Sequence, residues 1–211
     1  MSLDFGGGFS LRQATADDHE AFCAVCLKTG DAGKDATERE DDPDLMGLIY
    51  AVPYQVLEPD FAFAIEGPAG VAGYLFGVPD TAAFNARLAA KWYPALRARI
   101  GDPGADQGRC RGSDWARRMI HHPDLAMPQA LHPYPSHGHI DLMPEARGRG
   151  IGRRCMAFLQ SRLAAAGSTG MYLDVHPMNT PAQAFYRTLG FEMLRDEGLP
   201  KSSAFMVRRF G

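Results

Sequence analysis

The 211-residue sequence predicts an α/β fold in which helices flank a mixed central sheet. Three observations lead to this fold class. The last third of the chain alternates strand-like and helix-like segments around a glycine-rich loop. The length is typical of one domain, so we expect residues 1–211 to form a single domain. A composition of 45% hydrophobic and 22% charged residues is that of a globular chain, and it excludes collagen-like and wholly disordered proteins.

The first eighty residues predict helices and strands in alternation. Over residues 9–14, phenylalanine and leucine alternate with polar residues, a pattern typical of a strand. Thr15 can cap the helix that follows, which Gly30 ends. The remaining elements predicted here are a helix at 43–51 and two hairpin strands at 61–65 and 71–78.

A segment at about 79–136 is predicted to be an insertion of helices and loops. Apolar residues spaced for one helix face predict a helix over 81–99, and a shorter helix is expected at 113–120. The rest of the segment is rich in proline, glycine and arginine. Irregular connections of this length are usually either functional or disordered.

The last third of the chain predicts a regular succession of elements. Apolar periodicity marks each one, and Gly167 and Gly190 end the two helices. The predicted elements are helices at 153–166 and 181–189 and strands at 138–143, 171–175, 191–195 and 204–209.

Charge is distributed unevenly along the chain. Residues 1–60 carry 4 Lys/Arg against 13 Asp/Glu, whereas residues 137–211 carry 10 against 6. The basic C-terminal third suits an anionic ligand, but a net charge of -3 argues against a nucleic-acid partner. The acidic stretch at 31–44 is interpreted as a solvated loop or frayed helix, with a docking site for a cationic partner as the alternative.

Other classes of site are disfavoured by the sequence. No apolar run approaches the ~18 residues of a membrane span, and the first residues lack the features of a signal peptide. We therefore expect a cytoplasmic protein without a membrane partner. Cys23 and Cys26 have the spacing of a redox or half-zinc motif, but no second CxxC follows and both lie in a helical pattern. We expect no metal site.

One glycine- and arginine-rich loop lies between a predicted strand and a predicted helix. Its glycines allow a tight turn with converging N–H groups, and the helix N-terminus adds a favourable dipole for an anion such as pyrophosphate. The alternative is a solvated basic helix start. The loop is not a P-loop, and its glycine spacing departs from the dinucleotide fingerprint. Its residues are Arg147, Gly148, Arg149, Gly150, Ile151 and Gly152, followed by Arg153 and Arg154.

A second motif lies one helix and one strand downstream of the glycine loop. It comprises Asn179, Ala182, Phe185, Tyr186, Gly190 and Phe191. Together with Arg147-x-x-Gly150-x-Gly152 of the glycine loop, it resembles the GNAT (Gcn5-related N-acetyltransferase) superfamily. The resemblance is clear over 137–211, looser over 9–78, and does not cover 79–136.

Three further segments of the last third of the chain carry a narrower resemblance. They are His139-Ile140-Asp141-Leu142, Leu173-Asp174-Val175-His176-Pro177 and Glu197-Gly198-Leu199-Pro200-Lys201. With the glycine loop, they resemble the acetyltransferase-like C-terminal domain of eukaryotic O-GlcNAcases and its bacterial homologues.

The GNAT resemblance implies a sheet whose central parallel strands splay apart, here between 139–143 and 171–175. It implies that acetyl-CoA is the co-substrate and that its pantetheine arm lies in the resulting wedge. Tyr186 would act as general acid toward the leaving thiolate, with packing on its helix as the alternative role. The residues implied to bind acetyl-CoA are Leu142, Met143, Arg147, Gly148, Arg149, Gly150, Ile151, Gly152, Arg153, Asn179 and Tyr186.

The general base is left open among three residues. Side chains alternate along the second central strand, so Tyr172, Asp174 and His176 share one face. Central parallel strands are normally apolar on both faces, and a cleft would explain polar residues there. Asp174 or His176 could take a proton from an amine, and Asp141, beside His139, is the other candidate. The alternative is that Asp174 and His176 only bond a neighbouring loop.

The function expected from this resemblance is transfer of an acetyl group from acetyl-CoA to an amine by direct attack. The acceptor is a small molecule or a protein lysine, and its pocket is expected at 28–60 and 101–136. The alternative is an acetyl-CoA-binding module, or pseudo-acetyltransferase, without turnover. A homodimer is compatible with the sequence.

Overall fold

The computed structural model describes residues 2–104, 106 and 111–211. Its centre is one eight-stranded sheet. The strands are β1 (Ser2–Gly6), β2 (Phe9–Gln13), β3 (Ala62–Gly67), β4 (Gly70–Val78), β5 (Ser136–Leu142), β6 (Gly170–Val175), β7 (Glu192–Met193) and β8 (Ala204–Arg209). They lie in the order β1-β2-β3-β4-β5-β6-β8-β7, and all neighbours are antiparallel except β5 and β6. The α/β fold with a mixed sheet is therefore confirmed.

Within the described residues, eight α-helices pack around this sheet. They are α1 (His19–Thr29), α2 (Leu45–Tyr50), α3 (Val52–Leu57), α4 (Thr81–Arg87), α5 (Tyr93–Arg97), α6 (Asp114–His121), α7 (Ile151–Ala165) and α8 (Thr180–Arg187). In the part of the chain that the structure describes, no helix is both long and apolar enough to cross a bilayer.

Strands β3 and β4 are buried on both faces, as expected for strands at the centre of a sheet. Phe63 and Leu75 point to the face that α7 covers with Leu159. The residues next to Phe63 and Leu75 in each strand, among them Tyr74, point to the opposite face. There the ring of Phe22 of α1 packs edge-on against the Tyr74 ring, with 5.8 Å between the ring centroids. Helices thus cover both faces of the sheet, and the ends of its strands are left open to solvent.

The parallel pair β5 and β6 is joined only at its start. The paired residues are Ser136 with Met171 and His137 with Tyr172. Beyond them β5 continues along β4 as far as Leu142, while β6 stays with β8. The two strands therefore diverge toward their carboxyl ends, and this confirms the predicted splay of the central strands.

Several predicted elements differ from the observed ones. Strand β1 and helix α3 were not predicted, and the last but one strand is only two residues long. The helix predicted at 81–99 is divided into α4, a π-helical turn at Leu88–Trp92, and α5. Pro94 has no N–H for the carbonyl four residues earlier, and the wider π turn accommodates this gap.

Helices α4 to α6 pack against α2 and α3 through a hydrophobic cluster of their own. Trp92 adds a hydrogen bond from its indole N–H to the Leu48 carbonyl at 2.8 Å. The acidic stretch is tied to the same region, because Asp41 accepts a 2.7 Å hydrogen bond from the Ser113 N–H and pairs with Arg117. Asp41 is nevertheless exposed, so the stretch at 31–44 is a solvent-facing loop that these contacts fasten to α6.

Candidate active site

A cleft of about 1550 Å³ opens where β5 and β6 diverge. The start of α7 and helix α8 line one end of it, and the loop after α1 lines its side. The segment at 79–136 contributes to the wall at the other end, with aromatic and aliphatic side chains that include Phe84, Tyr93 and Trp115. The splayed strands, the glycine loop and the insertion therefore share one cavity.

The glycine loop leads into the N-terminus of α7 with its backbone donors free. The N–H groups of residues 148–153 form no hydrogen bond with any residue that the structure describes. Gly148 and Gly150 have φ values of +72° and +74°, where a side chain is strained, although a Cβ at either would meet nothing within 4 Å. The arrangement is a ready-made anion site, because a helix N-terminus and unpaired N–H groups both attract negative charge.

The three arginines of this region face different ways. Arg147 lines the cleft and donates from Nε to the Leu142 carbonyl at 2.7 Å and from Nη2 to the Gly33 carbonyl at 3.0 Å. Arg153 lines the cleft as well. Arg149 does not line it: its guanidinium lies 5.0 Å over the ring of Phe9 and donates from Nε to a loop carbonyl. The structure therefore places Arg149, unlike Arg147 and Arg153, away from the candidate anion site.

Beyond His137, the edge of β5 that faces β6 is not paired with another strand, although its Leu142 carbonyl accepts from Arg147 Nε at 2.7 Å. In an antiparallel pair, alternate residues bond to the neighbouring strand. The Met143 N–H donates to the Ala72 carbonyl at 2.8 Å, so it faces β4 and is not available to pantetheine. This corrects the expectation for Met143. Ile140 and Leu142, which alternate with it, line the cleft with their backbone groups turned toward β6.

Asn179 lies at the junction of β6 and α8, on the cleft wall. Its Oδ1 accepts a 3.2 Å hydrogen bond from the Ala182 N–H and so caps α8. Because the oxygen of the side-chain amide accepts this bond, the orientation of the amide is fixed. Its Nδ2 donors therefore point away from the helix. The loop after α1 lies beside both Arg147 and Asn179. Its Gly33 carbonyl accepts from Arg147 Nη2, and a Cβ built on Gly33 would lie 3.5 Å from Asn179 Nδ2.

Tyr186 lies on α8 between two phenylalanine rings. The centroids of Phe185 and Phe191 are 5.3 Å and 5.9 Å from that of Tyr186. The residue lines the cleft, and its hydroxyl forms no hydrogen bond with the residues described. Burial raises the pKa of this phenol, so it keeps its proton at neutral pH. The packing role and a donor role are compatible in this geometry.

Asp174 and His176 both line the cleft, on the face that the alternation predicted. Burial raises the pKa of Asp174, while a hydrogen bond with Ser203 and the charges of His139 and His176 oppose that rise. His176 is exposed, and its Nδ1 accepts a 3.2 Å hydrogen bond from the Met178 N–H within the β6–α8 loop. Asp174 is exposed to the cleft as well, and His176 differs from it in also shaping its loop.

Asp141 is already engaged by two neighbours. Its Oδ2 accepts a hydrogen bond from the Tyr74 hydroxyl at 2.5 Å and lies at ion-pair distance, 3.1 Å, from His139 Nε2. The Nδ1 of His139 is in turn 2.9 Å from the Tyr50 carbonyl. Asp141 is therefore held by neighbouring polar groups rather than being a free carboxylate.

Aromatic residues line the end of the cleft beside α2, α3 and the segment at 79–136. Tyr50 stacks on Trp115 with 6.2 Å between ring centroids, and Tyr54 stacks on Phe84 at 5.0 Å. Glu40, which also lines the cleft, accepts the indole N–H of Trp115 at 3.0 Å. The sequence analysis expected an acceptor pocket in the ranges 28–60 and 101–136 but did not name these aromatic residues, because no local signal distinguishes a core aromatic from one that lines a cleft.

The CxxC pair belongs to the core of α1. Burial raises the pKa of Cys23 to about 12 and that of Cys26 further still, so both stay as thiols. Among the described residues, no group of histidine, cysteine and acidic side chains could hold a metal ion. Cys110 lies outside the described residues.

The comparisons with known proteins agree with this geometry. The structure described as "Crystal structure of SsHAT" is 33% identical, with a TM-score of 0.87 over 96% of this chain and 98% of that one. The Acetyltransferase (GNAT) family model matches residues 127–191, which include the glycine loop, β6 and α8. The chain belongs to the GNAT acetyltransferase family. The splayed strands and the glycine loop are thus features of a GNAT fold in this chain.

Two other matches relate this GNAT chain to part of a longer protein and to a more distant structure with the same fold. Protein O-GlcNAcase from Rattus norvegicus is 25% identical over 202 residues, or 95% of this chain. The chain spans about a fifth, 22%, of the length of that relative and of the mouse protein. A GNAT phosphinothricin acetyltransferase from Sinorhizobium meliloti, solved with AcCoA, shares the fold at 18% identity with a TM-score of 0.53 over 97% of this chain and 89% of that one. The resemblance to O-GlcNAcases is thereby confirmed as a match to one part of those proteins.

Proposed function

We propose that this protein binds acetyl-CoA and transfers its acetyl group to an amine. One observation carries the proposal: the free edge of β5 and the unpaired N–H groups before α7 border the same cleft. An extended pantetheine arm needs a strand edge, and a pyrophosphate needs converging donors. The S. meliloti relative, which was solved with AcCoA, has the same fold.

The cofactor would lie along the cleft from the loop to the splay. Backbone groups of Ile140 and Leu142 would pair with pantetheine amides, and Asn179 Nδ2 would donate to the arm from the opposite side. The N–H groups of residues 148–153 would hold the pyrophosphate, with Arg147 adding a charge-assisted contact. The acetyl thioester would then reach the region between β5 and β6 where Asp174 and Tyr186 line the wall.

The chemistry proposed is direct attack on the thioester without a covalent acyl-enzyme. The acceptor nitrogen bonds to the acetyl carbon and forms a tetrahedral intermediate, whose collapse breaks the carbon–sulfur bond. Asp174 takes the proton that the amine nitrogen loses, and Tyr186 gives a proton to the departing thiolate. A raised pKa suits Asp174 to this task, since a carboxylate that binds protons more tightly is a stronger base. Tyr186 would recover its proton from solvent or from the protonated base.

The acceptor would approach from the aromatic end of the cleft. The wall there comes from α2 and α3 together with the segment at 79–136, which we propose to be an insertion within one domain. Its mixture of aromatic rings and carboxylates suits an amine, either of a small molecule or of a lysine side chain.

Two measurements test the proposal in sequence. Calorimetry with acetyl-CoA measures binding, and we expect one site per chain. Release of free thiol is then followed with acetyl-CoA and a panel of amines, including lysine peptides. Absence of binding would overturn the proposal. Binding without thiol release on a broad panel would favour the binding module over the enzyme.

A further inference from the structure

We propose that His139 is a positioning residue that stays protonated in the resting protein, and that its positive charge keeps Asp174 ionised for proton abstraction. The charge state is argued from a hydrogen bond and an ion-pair contact of His139. Its kinetic consequence rests on the proposed function. His139 and its partner Asp141 both line the cleft, where 29% of the His139 side chain and 25% of the Asp141 side chain are exposed.

The first nitrogen of His139 carries a proton because of its partner. Nδ1 lies 2.9 Å from the backbone carbonyl of Tyr50. A carbonyl oxygen only accepts hydrogen bonds, so Nδ1 must be the donor. A neutral imidazole has one N–H, and this contact uses it.

The second nitrogen of His139 faces another acceptor. Nε2 lies 3.1 Å from Asp141 Oδ2, which is ion-pair distance, and two unprotonated acceptors this close would repel each other unless one of them carries a proton. The Tyr74 hydroxyl donates to the same Oδ2, which favours the carboxylate form of Asp141. The proton therefore belongs to His139, which becomes an imidazolium held between Tyr50 and Asp141.

The next histidine along β5 has the opposite surroundings. His137 lies between hydroxyl groups, with Nδ1 2.8 Å from Thr81 Oγ1 and Nε2 3.0 Å from Tyr54 Oη. A hydroxyl can donate or accept, so these contacts satisfy a neutral ring. Burial lowers the pKa of His137 to about 3. One strand thus holds a neutral histidine and a charged one two residues apart.

Every titratable group around His139 is consistent with this charge. Burial lowers the pKa of His139, but Asp141, the Tyr50 carbonyl and Asp174 raise it more, and the net change is upward. The tyrosines are protonated and neutral, since burial raises the pKa of each. The groups that face His139 or its partner Asp141 are Cys26 of α1, Tyr50 of α2, Tyr54 of α3, Tyr74 of β4, His137 and Asp141 of β5, Asp174 of β6 and Tyr186 of α8.

The charge on His139 matters because no ion pair with Asp174 is seen among the described residues. His139 of β5 and Asp174 of β6 line the same cleft where these two strands diverge. Burial alone would push Asp174 toward its protonated form, which cannot accept a proton from an amine. The imidazolium opposes that effect across the cleft, as does His176 from the β6–α8 loop. Removal of the charge should make Asp174 harder to ionise, so activity should need a higher pH.

The first experiment measures the protonation of His139 without reference to activity. Long-range ¹H–¹⁵N NMR on the imidazole-labelled full chain distinguishes imidazolium from either neutral tautomer, and the signal that disappears in His139→Gln identifies the residue. At pH 7, where an ordinary histidine is mostly neutral, we expect both His139 nitrogens to be protonated and the His137 ring to be neutral. A neutral His139 at pH 7 would overturn the proposal.

The second experiment measures thiol release against pH with an amine that reacts. In His139→Gln we expect the acidic limb of the rate profile to move up by about 0.5–1 pH unit, because a nearby opposite charge has been removed. In Asp174→Asn that limb should disappear. His122→Gln is the matched control, since His122 pairs with Asp102 on the surface at 2.9 Å and lies outside the cleft. An unshifted limb in folded His139→Gln would refute the coupling.

A third variant covers the case in which His139→Gln does not fold. Asp141→Asn keeps the shape of the side chain but removes the partner charge, so His139 should become neutral at pH 7 in the NMR experiment and the acidic limb should again move up. A fully protonated His139 in that variant would contradict the argument. If no amine releases thiol from the wild-type protein, the proposed function fails while the NMR result still decides the charge of His139.

Discussion

Replacement of Arg147 by alanine is the sharpest test of the phosphate site, because Arg149 two residues away provides a matched control. Both are exposed arginines of the same loop. Arg147 faces the cleft and bonds the carbonyls of Leu142 and Gly33, whereas Arg149 lies over Phe9 on the other side. The two substitutions remove the same charge and differ only in where the guanidinium points.

The expected magnitude follows from the donors that Arg147 has left. A guanidinium has five N–H donors, and contacts with Leu142 and Gly33 use one on Nε and one on Nη2. The others remain for phosphate oxygens. A charge-assisted hydrogen bond contributes about 1.5–3 kcal/mol, which corresponds to roughly a ten- to hundredfold rise in the Kd for acetyl-CoA. Arg149→Ala should change the Kd by less than about threefold, because only long-range attraction is lost.

Isothermal calorimetry on both folded variants decides the matter, with melting temperature as a check on folding. Repetition at high salt should reduce the Arg149 effect more than the Arg147 effect, since screening acts mainly on distant charges. With dephospho-CoA, a smaller Arg147 effect would assign this residue to the 3′-phosphate rather than the pyrophosphate. Equal losses in the two variants, or a larger loss in Arg149→Ala, would refute the placement of the phosphates beside Arg147.

Three other predictions concern the same cleft. Gly152→Asp should abolish acetyl-CoA binding in calorimetry, because its Cβ would lie 3.2 Å from Phe185 Cζ with a negative charge in the anion site, whereas Gly152→Ala should bind once Phe185 yields slightly. Tyr186→Phe should reduce turnover by ~10²-fold with little change in acetyl-CoA affinity, and a normal rate would remove the general-acid role. Asp174→Asn should lower turnover yet stabilise the fold at pH 7. Because the pKa of Asp174 is raised in the folded protein, the wild-type protein loses stability as the pH rises through that pKa. The gain in melting temperature of Asp174→Asn over the wild type should therefore vanish near pH 3, where Asp174 is protonated. A gain that stays constant with pH would contradict this prediction.

Much of the fold could be predicted because its signals are local. Alternation over residues 9–14 and 171–175 and the helical spacing of 153–166 depend on side-chain periodicities of the chain itself. The glycine loop was identified for the same reason, as positive φ angles at Gly148 and Gly150 require a particular residue type at a particular position. Where a local rule competed with packing, as in the helix divided before Pro94, the prediction was less accurate.

The α/β class, the GNAT motifs and the position of the glycine loop could be read from the sequence, because short stretches of neighbouring residues specify them. Packing in three dimensions was needed to show that Arg149 lies outside the cleft, that the Met143 N–H faces β4, and that His139 meets a carbonyl 89 residues earlier in the chain. Those outcomes depend on which distant atoms a side chain meets after packing. A hydrogen-bond partner supplied by another element leaves no trace in local spacing.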